Sequence, residues 1–245
     1  MSRRRIARPA RTAPLLRSAR SVAVVATVAA ATLMGGAATA QPAAARADVS
    51  TADVSTVARV DVDGDRRTDR VDLVLRDHGD HTGSAELRVT LAGSGRQVRT
   101  TTDLPHLASA DVHWWGAAAV DGEPGAELVV MDSYGAHTFY HRVVTYRDGR
   151  LTTLTDPRSR YRWVTDGSVW SSYGYRAASS PTGRARMVSY ESISEDGGRT
   201  FRRVATAAEW RNHRWSRLSQ TTSRVGPVEA ARWGGWHVPG LPTGF

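Results

Sequence analysis

The acids of Asp61-Val62-Asp63-Gly64-Asp65-Arg66-Arg67-Thr68-Asp69 have the clearest capacity for chemistry in this chain, with carboxylates at positions 1, 3, 5 and 9 of a nine-residue stretch. Like charges held this close oppose one another unless a cation offsets them. A hard divalent cation such as calcium is bound by several carboxylate and carbonyl oxygens supplied from one short loop. Gly64 lets the backbone curl tightly enough for neighbouring acids to face one centre. The spacing predicts a calcium site with Asp61, Asp63, Asp65 and Asp69 as side-chain ligands and Arg67 contributing its backbone carbonyl. The competing reading is a solvated acidic turn, with Arg66, Arg67 and Arg70 as local counter-charges.

A degenerate copy follows 58 positions on, counting from Asp61 to Ala119. Asp121 keeps position 3, Glu123 and Glu127 replace positions 5 and 9, and Ala119 has lost the acid at position 1. Both loops lead into apolar runs, Val71–Leu75 and Leu128–Met131, which read as strands. Val71, Leu73 and Leu75 alternate with other residues, as do Leu87, Val89 and Leu91, and turn residues interrupt the runs about every ten positions. No segment carries a sustained helical period between caps.

A second feature repeats as well. Tyr146-Arg147-Asp148-Gly149-Arg150-Leu151 reads as a tight hairpin, and Trp210-Arg211-Asn212-His213-Arg214-Trp215 has the same shape 64 positions later. Leu91–Arg96 is a third, less similar hairpin. The expected fold is all-β: about three units of roughly 60 residues, each a small antiparallel sheet, in a partial or open propeller-like arrangement, with a β-sandwich as the alternative.

The loop resembles that of FG-GAP and VCBS repeats, the blades of integrin-α-like β-propellers, whose signature is D-x-D-G-D-x-x-x-D before an apolar strand. Asp61, Asp63, Asp65 and Asp69 match it position by position, and Ala119–Glu127 matches in part. The chain has neither the Phe-Gly nor the Gly-Ala-Pro element of that family, and it is too short for the four or more blades of a closed ring. The resemblance implies calcium in blade loops, an extracellular setting and a binding or adhesion role. An EF-hand fits less well, because Arg66 stands where its glycine belongs. A dockerin-like docking module needs a helix after Asp72, where Leu73-Val74-Leu75 runs into Asp77-His78-Gly79-Asp80.

These elements lie beyond a leader. Met1–Arg20 is Arg-rich, residues 21–45 carry no charge, and Val22–Leu33 forms an apolar core. Ala38-Thr39-Ala40 and Ala45-Arg46-Ala47 both suit cleavage, so residues 1–47 are expected to be a secretory signal peptide. Residues 48–56 are expected to be a polar linker and 57–245 one all-β domain. Eight of the 33 basic residues lie in the leader, which leaves 25 Arg against 24 acids and a net charge of +1. That balance predicts no nucleic-acid partner. After cleavage no membrane attachment is expected, and the partner is expected to be an extracellular protein or carbohydrate. There is no Cys, so no disulfide supports the fold.

No catalytic motif is present, and the chain is expected not to be an enzyme. An extracellular hydrolase is the alternative, with His137 and His141 sharing a strand face beside Tyr134. Asp77-His78-Gly79-Asp80-His81 could bind zinc but reads better as a hairpin turn. Trp114, Trp115, Trp163, Trp170, Trp233 and Trp236 are expected mainly in core packing. Arg199–Arg203 reads as a solvated strand face.

Overall fold

The structure is a computed structural model that describes residues 52–244. The expected signal peptide lies outside the described residues, as does the first part of the expected linker. The fold is all-β, with antiparallel sheets that do not close. Among the described residues no helix is long and apolar enough to cross a membrane.

The strands group into three meanders of four. The first runs β1 (Asp53–Val60), β2 (Asp69–Gly79), β3 (Thr82–Thr90) and β4 (Gln97–Leu104). A short helix, α1 (Ala110–His113), leads to the second: β5 (Trp114–Ala118), β6 (Glu127–Tyr134), β7 (Thr138–Arg147) and β8 (Arg150–Leu154). After β9 (Trp163–Asp166) comes the third: β10 (Ser171–Ala178), β11 (Arg186–Ile193), β12 (Phe201–Arg211) and β13 (Arg214–Val225). The chain ends through helix α2 (Pro227–Ala231) and strand β14 (Gly235–His237). β9 pairs with the first half of β7 and touches β10 at Tyr173, which joins the second and third meanders into one hydrogen-bonded path.

The polar stretch expected as a linker to Thr56 is already strand from Asp53. An edge strand needs backbone partners more than an apolar sequence. Here β1 pairs along β2, and Thr56 Oγ1 donates to Asp72 Oδ1 at 2.7 Å.

Burial explains the strand patterns. In β2, Val71, Leu73 and Leu75 enter one core with Leu87 and Val89 of β3. The opposite face of that sheet carries the ion pairs Arg70–Asp72 and Arg88–Glu86. The unbroken apolar run of β6 has a different cause. Leu128 and Val130 join the core shared with the first meander, while Val129 and Met131 join the core shared with the third. The middle meander is therefore buried on both faces, and a strand so placed has no solvent face to spend on polar residues. The second core is aromatic: Trp163, Tyr175 and Trp236 pack with ring centroids 4.7–5.3 Å apart, and Trp115 joins the same cluster.

The tail holds the third meander through β14, which pairs in parallel with β10 from Gly174 to Arg176. This pairing requires Gly174, because a Cβ there would lie 1.9 Å from the Trp233 carbonyl oxygen. Docking buries Trp236 completely.

Candidate metal centre and its degenerate copy

The Asp loop connects β1 to β2. Its counterpart, residues 119–126, connects β5 to β6, and residues 179–185 make the same connection in the third meander. The three stack at one end of the sheets. Ala126 donates its N–H to the Asp61 carbonyl at 2.8 Å, and Gly122 brings the second loop against the third, where a Cβ would come within 2.8 Å of the Ala185 Cβ. Gly64, at φ +79°, brings the first loop against Pro124 of the second, where a Cβ would come within 2.6 Å of the proline Cβ.

The first two loops share a hydrogen-bond skeleton. Val62 N–H donates to Asp69 Oδ2 at 2.8 Å, and Val120 N–H donates to Glu127 Oε2 at 2.7 Å. Asp65 N–H donates to Asp63 Oδ1 at 3.2 Å, and Glu123 N–H to Asp121 Oδ1 at 2.8 Å. The sequence offset of 58 is thus reproduced in two of the backbone bonds that shape the loops, while the Asp61 bonds have no counterpart at Ala119.

Asp61, Asp63 and Asp65 come together, each offering a carboxylate oxygen within 4.8 Å of the others. Among the described residues this is the one group of three or more His, Asp or Glu positioned for an ion. Asp61 also accepts from Gly64 N–H and Arg66 N–H, both at 2.8 Å, so its carboxylate fixes the curl of the loop. Asp65 Oδ1 accepts from Arg67 N–H at 2.8 Å, and its Oδ2 lies where a Cβ on Gly93 would be, 2.2 Å away. Partial burial raises the Asp63 pKa above the usual carboxylate value, and the charges of Asp69, Asp65 and Asp61 push the same way.

Asp69 is not one of the three grouped acids, although its charge acts on Asp63. It is fully buried, and its oxygens accept from Val62 N–H and Ala92 N–H at 2.8 Å each. It ties the loop to β2 and to the turn after β3. Arg67 gives its N–H to Asp65. Arg70 pairs with Asp72 instead of the loop, and among the described residues no guanidinium pairs with Asp61, Asp63 or Asp65. The counter-charges of the solvated-turn reading, Arg66, Arg67 and Arg70, form no ion pair with the cluster among the described residues.

In the second loop a cation is already in place. Arg147, from the end of β7, puts Nη2 2.8 Å from Asp121 Oδ2 and 3.5 Å from Glu127 Oε1, with Nε 3.0 Å from Glu123 Oε2. Burial raises the Glu127 pKa to about 7, and the neighbouring Asp121 charge adds to this. Burial also raises Asp121, against the pull of Arg147. Glu123 goes the other way: burial pushes it up, but the Trp210 N–H, Arg147 and His213 outweigh that and hold it low. Residues 179–185 contain no acid at all. Sequence reasoning missed Arg147. The available signal was that the second loop, unlike the first, has no Arg of its own between positions 119 and 127.

The two histidines of the hydrolase alternative lie in different surroundings, His137 exposed and His141 buried. His141 is fully buried, its ring edge-on to Trp115 and Trp236 and its Nε2 2.9 Å from Thr165 Oγ1; burial lowers its pKa to about 3. It is a neutral core residue. His137 precedes β7 and lines an open groove with Phe139, and Tyr134 packs on His106. His78 and His81 sit at the exposed β2–β3 turn.

Comparison with protein-family models, with curated proteins and with solved structures finds no match to this chain.

Proposed function

We propose that this chain is a secreted, non-catalytic binding or structural module of the FG-GAP/VCBS kind, stabilised by one calcium ion in the Asp61–Asp69 loop. The observation that carries the reading is the contrast between two loops with one skeleton. In the second, three carboxylates surround the Arg147 guanidinium. In the first, Asp61, Asp63 and Asp65 converge, and among the described residues no guanidinium pairs with them. A divalent ion there would supply the charge that Arg147 supplies next door. The backbone bonds to Asp61 and Asp69 shape the loop, leaving Asp63 and Asp65 as its most available carboxylates. The ion would stiffen the β1–β2 connection, and through Ala126 and Pro124 its packing on the second loop.

The test is a calorimetric calcium titration after chelator stripping, beside Asp63→Asn/Asp65→Asn. One site of roughly 10⁻⁴–10⁻³ M, as is usual for extracellular modules, and absent from the variant, supports the reading. No heat, together with no calcium-dependent change in melting temperature, removes it.

A further inference from the structure

The nearly balanced charge of the chain beyond its leader hides a strong local asymmetry. β12 and β13 together hold six Arg and one acid, Glu209. β13 is an edge strand with no neighbour beyond it, and positions 217–224 are all exposed. Arg202 and Arg224 stand directly opposite each other in the β12–β13 register, so their side chains leave the same face side by side. Arg217, opposite Ala208, belongs to that face too. Like charges so placed repel. Among the described residues no acid pairs with them. Glu191, on the same face of β11, is paired with Arg158. Glu229 is paired with Arg203 and Arg232, and Glu209 with Arg211 and Arg184, on the other face. Among the described residues Arg202, Arg217 and Arg224 form no ion pair.

Protection of a bare edge against pairing explains charges on β13. It does not explain Arg202, which lies on the interior strand and adds to the repulsion. Arg217 and Arg224 span about 20 Å of strand, with Gln220 and Thr222 between them on the same face. This is a linear cationic track with amide and hydroxyl groups between the charges. It has no exposed ring on which a nucleobase could stack, since Trp210 and Trp215 are buried and packed edge to face on each other.

We infer that this face of the β12–β13 ribbon docks a linear anionic polysaccharide, its repeated acid groups spanning Arg202, Arg224 and Arg217 and its hydroxyls meeting Gln220 and Thr222. The surface is separate from the Asp61 loop, so the inference does not depend on the calcium reading and is tested in chelator.

The probe is polygalacturonate, titrated at low and at moderate salt into the whole chain. Two triple variants are compared, Arg202→Gln/Arg217→Gln/Arg224→Gln and a control with the same charge loss at exposed sites elsewhere, Arg59→Gln/Arg99→Gln/Arg150→Gln. Residues 1–47 are identical in both, so any contribution from their Arg cancels. Circular dichroism and melting temperature confirm that both fold. The expected result is at least a tenfold loss of affinity for the ribbon variant, with a shallower salt dependence, and less than a threefold loss for the control. Equal losses in the two variants, or no binding by the unaltered chain, overturn the inference. Tighter binding of single- or double-stranded DNA of matched charge overturns the assignment to a polysaccharide.

Discussion

Arg147 Nη2 lies 2.8 Å from Asp121 Oδ2, and this contact places a protein cation inside the second loop, where the first loop, among the described residues, gathers carboxylates alone. The guanidinium comes from the far end of β7, yet it serves a connection made between β5 and β6.

Arg147→Met is expected to destabilise the protein by about 3 kcal/mol at pH 8, because it leaves buried carboxylates without their counter-charge. Asp121 and Glu127 are both almost fully buried. Urea unfolding measures the loss. The loss shrinks at pH 5, where Glu127, with its pKa near 7, is protonated. A variant as stable as the parent at pH 8 contradicts this role for Arg147.

Glu127 is expected to make stability fall as pH rises. Its folded pKa of about 7 lies above the ordinary 4.5, so the folded protein binds the proton more tightly than the unfolded chain between those values. Its contribution is fully present below about pH 4.5 and is lost as pH rises through about 7, by roughly 3 kcal/mol at most. The check is the difference between the parent and Glu127→Gln across pH 4–8. That difference rises in favour of Gln with pH, and a flat difference counts against the assignment.

Asp69 and Asp63 are expected to respond in opposite ways. Asp69→Ala removes the acceptor from two backbone amides and costs about 2–4 kcal/mol with or without calcium. Asp63→Asn relieves like-charge repulsion, so it leaves the calcium-free protein as stable as the parent or slightly more so, and abolishes only the calcium-dependent gain. Melting temperatures in chelator and in calcium separate the two.

Gly174→Ala is expected to undock the tail. The new Cβ cannot share space with the Trp233 carbonyl, so β14 must leave β10 and expose Trp236. A red shift in tryptophan fluorescence and a loss of about 1–3 kcal/mol or more are expected. An unshifted emission maximum excludes the coupling.

The local features were legible in the sequence because local chemistry decides them. Alternation in Val71–Leu75 identified a strand whose Val71, Leu73 and Leu75 enter one core, although Asp72 and Val74 on its other face are buried too, and Asp148-Gly149 marked the β7–β8 turn. The spacing of Asp61, Asp63 and Asp65 put three carboxylates around one point, because so short a loop has few ways to curl. The start of β1 was not legible: Asp53–Thr56 is polar, and only pairing with β2 makes it strand. The roles of Asp69 and His141 were also out of reach, since each is set by distant partners, Ala92 for the one and Trp115 and Trp236 for the other.

Residue pattern was enough for an all-β chain with a curled acidic loop and a degenerate copy of it, since side-chain period and glycine placement act over a few residues. Tertiary structure alone decided which carboxylates stay unpaired. That outcome depends on where the Arg147 guanidinium lands, 20 to 26 residues from the acids it neutralises. Charge compensation acts through space, and no spacing along the chain records it.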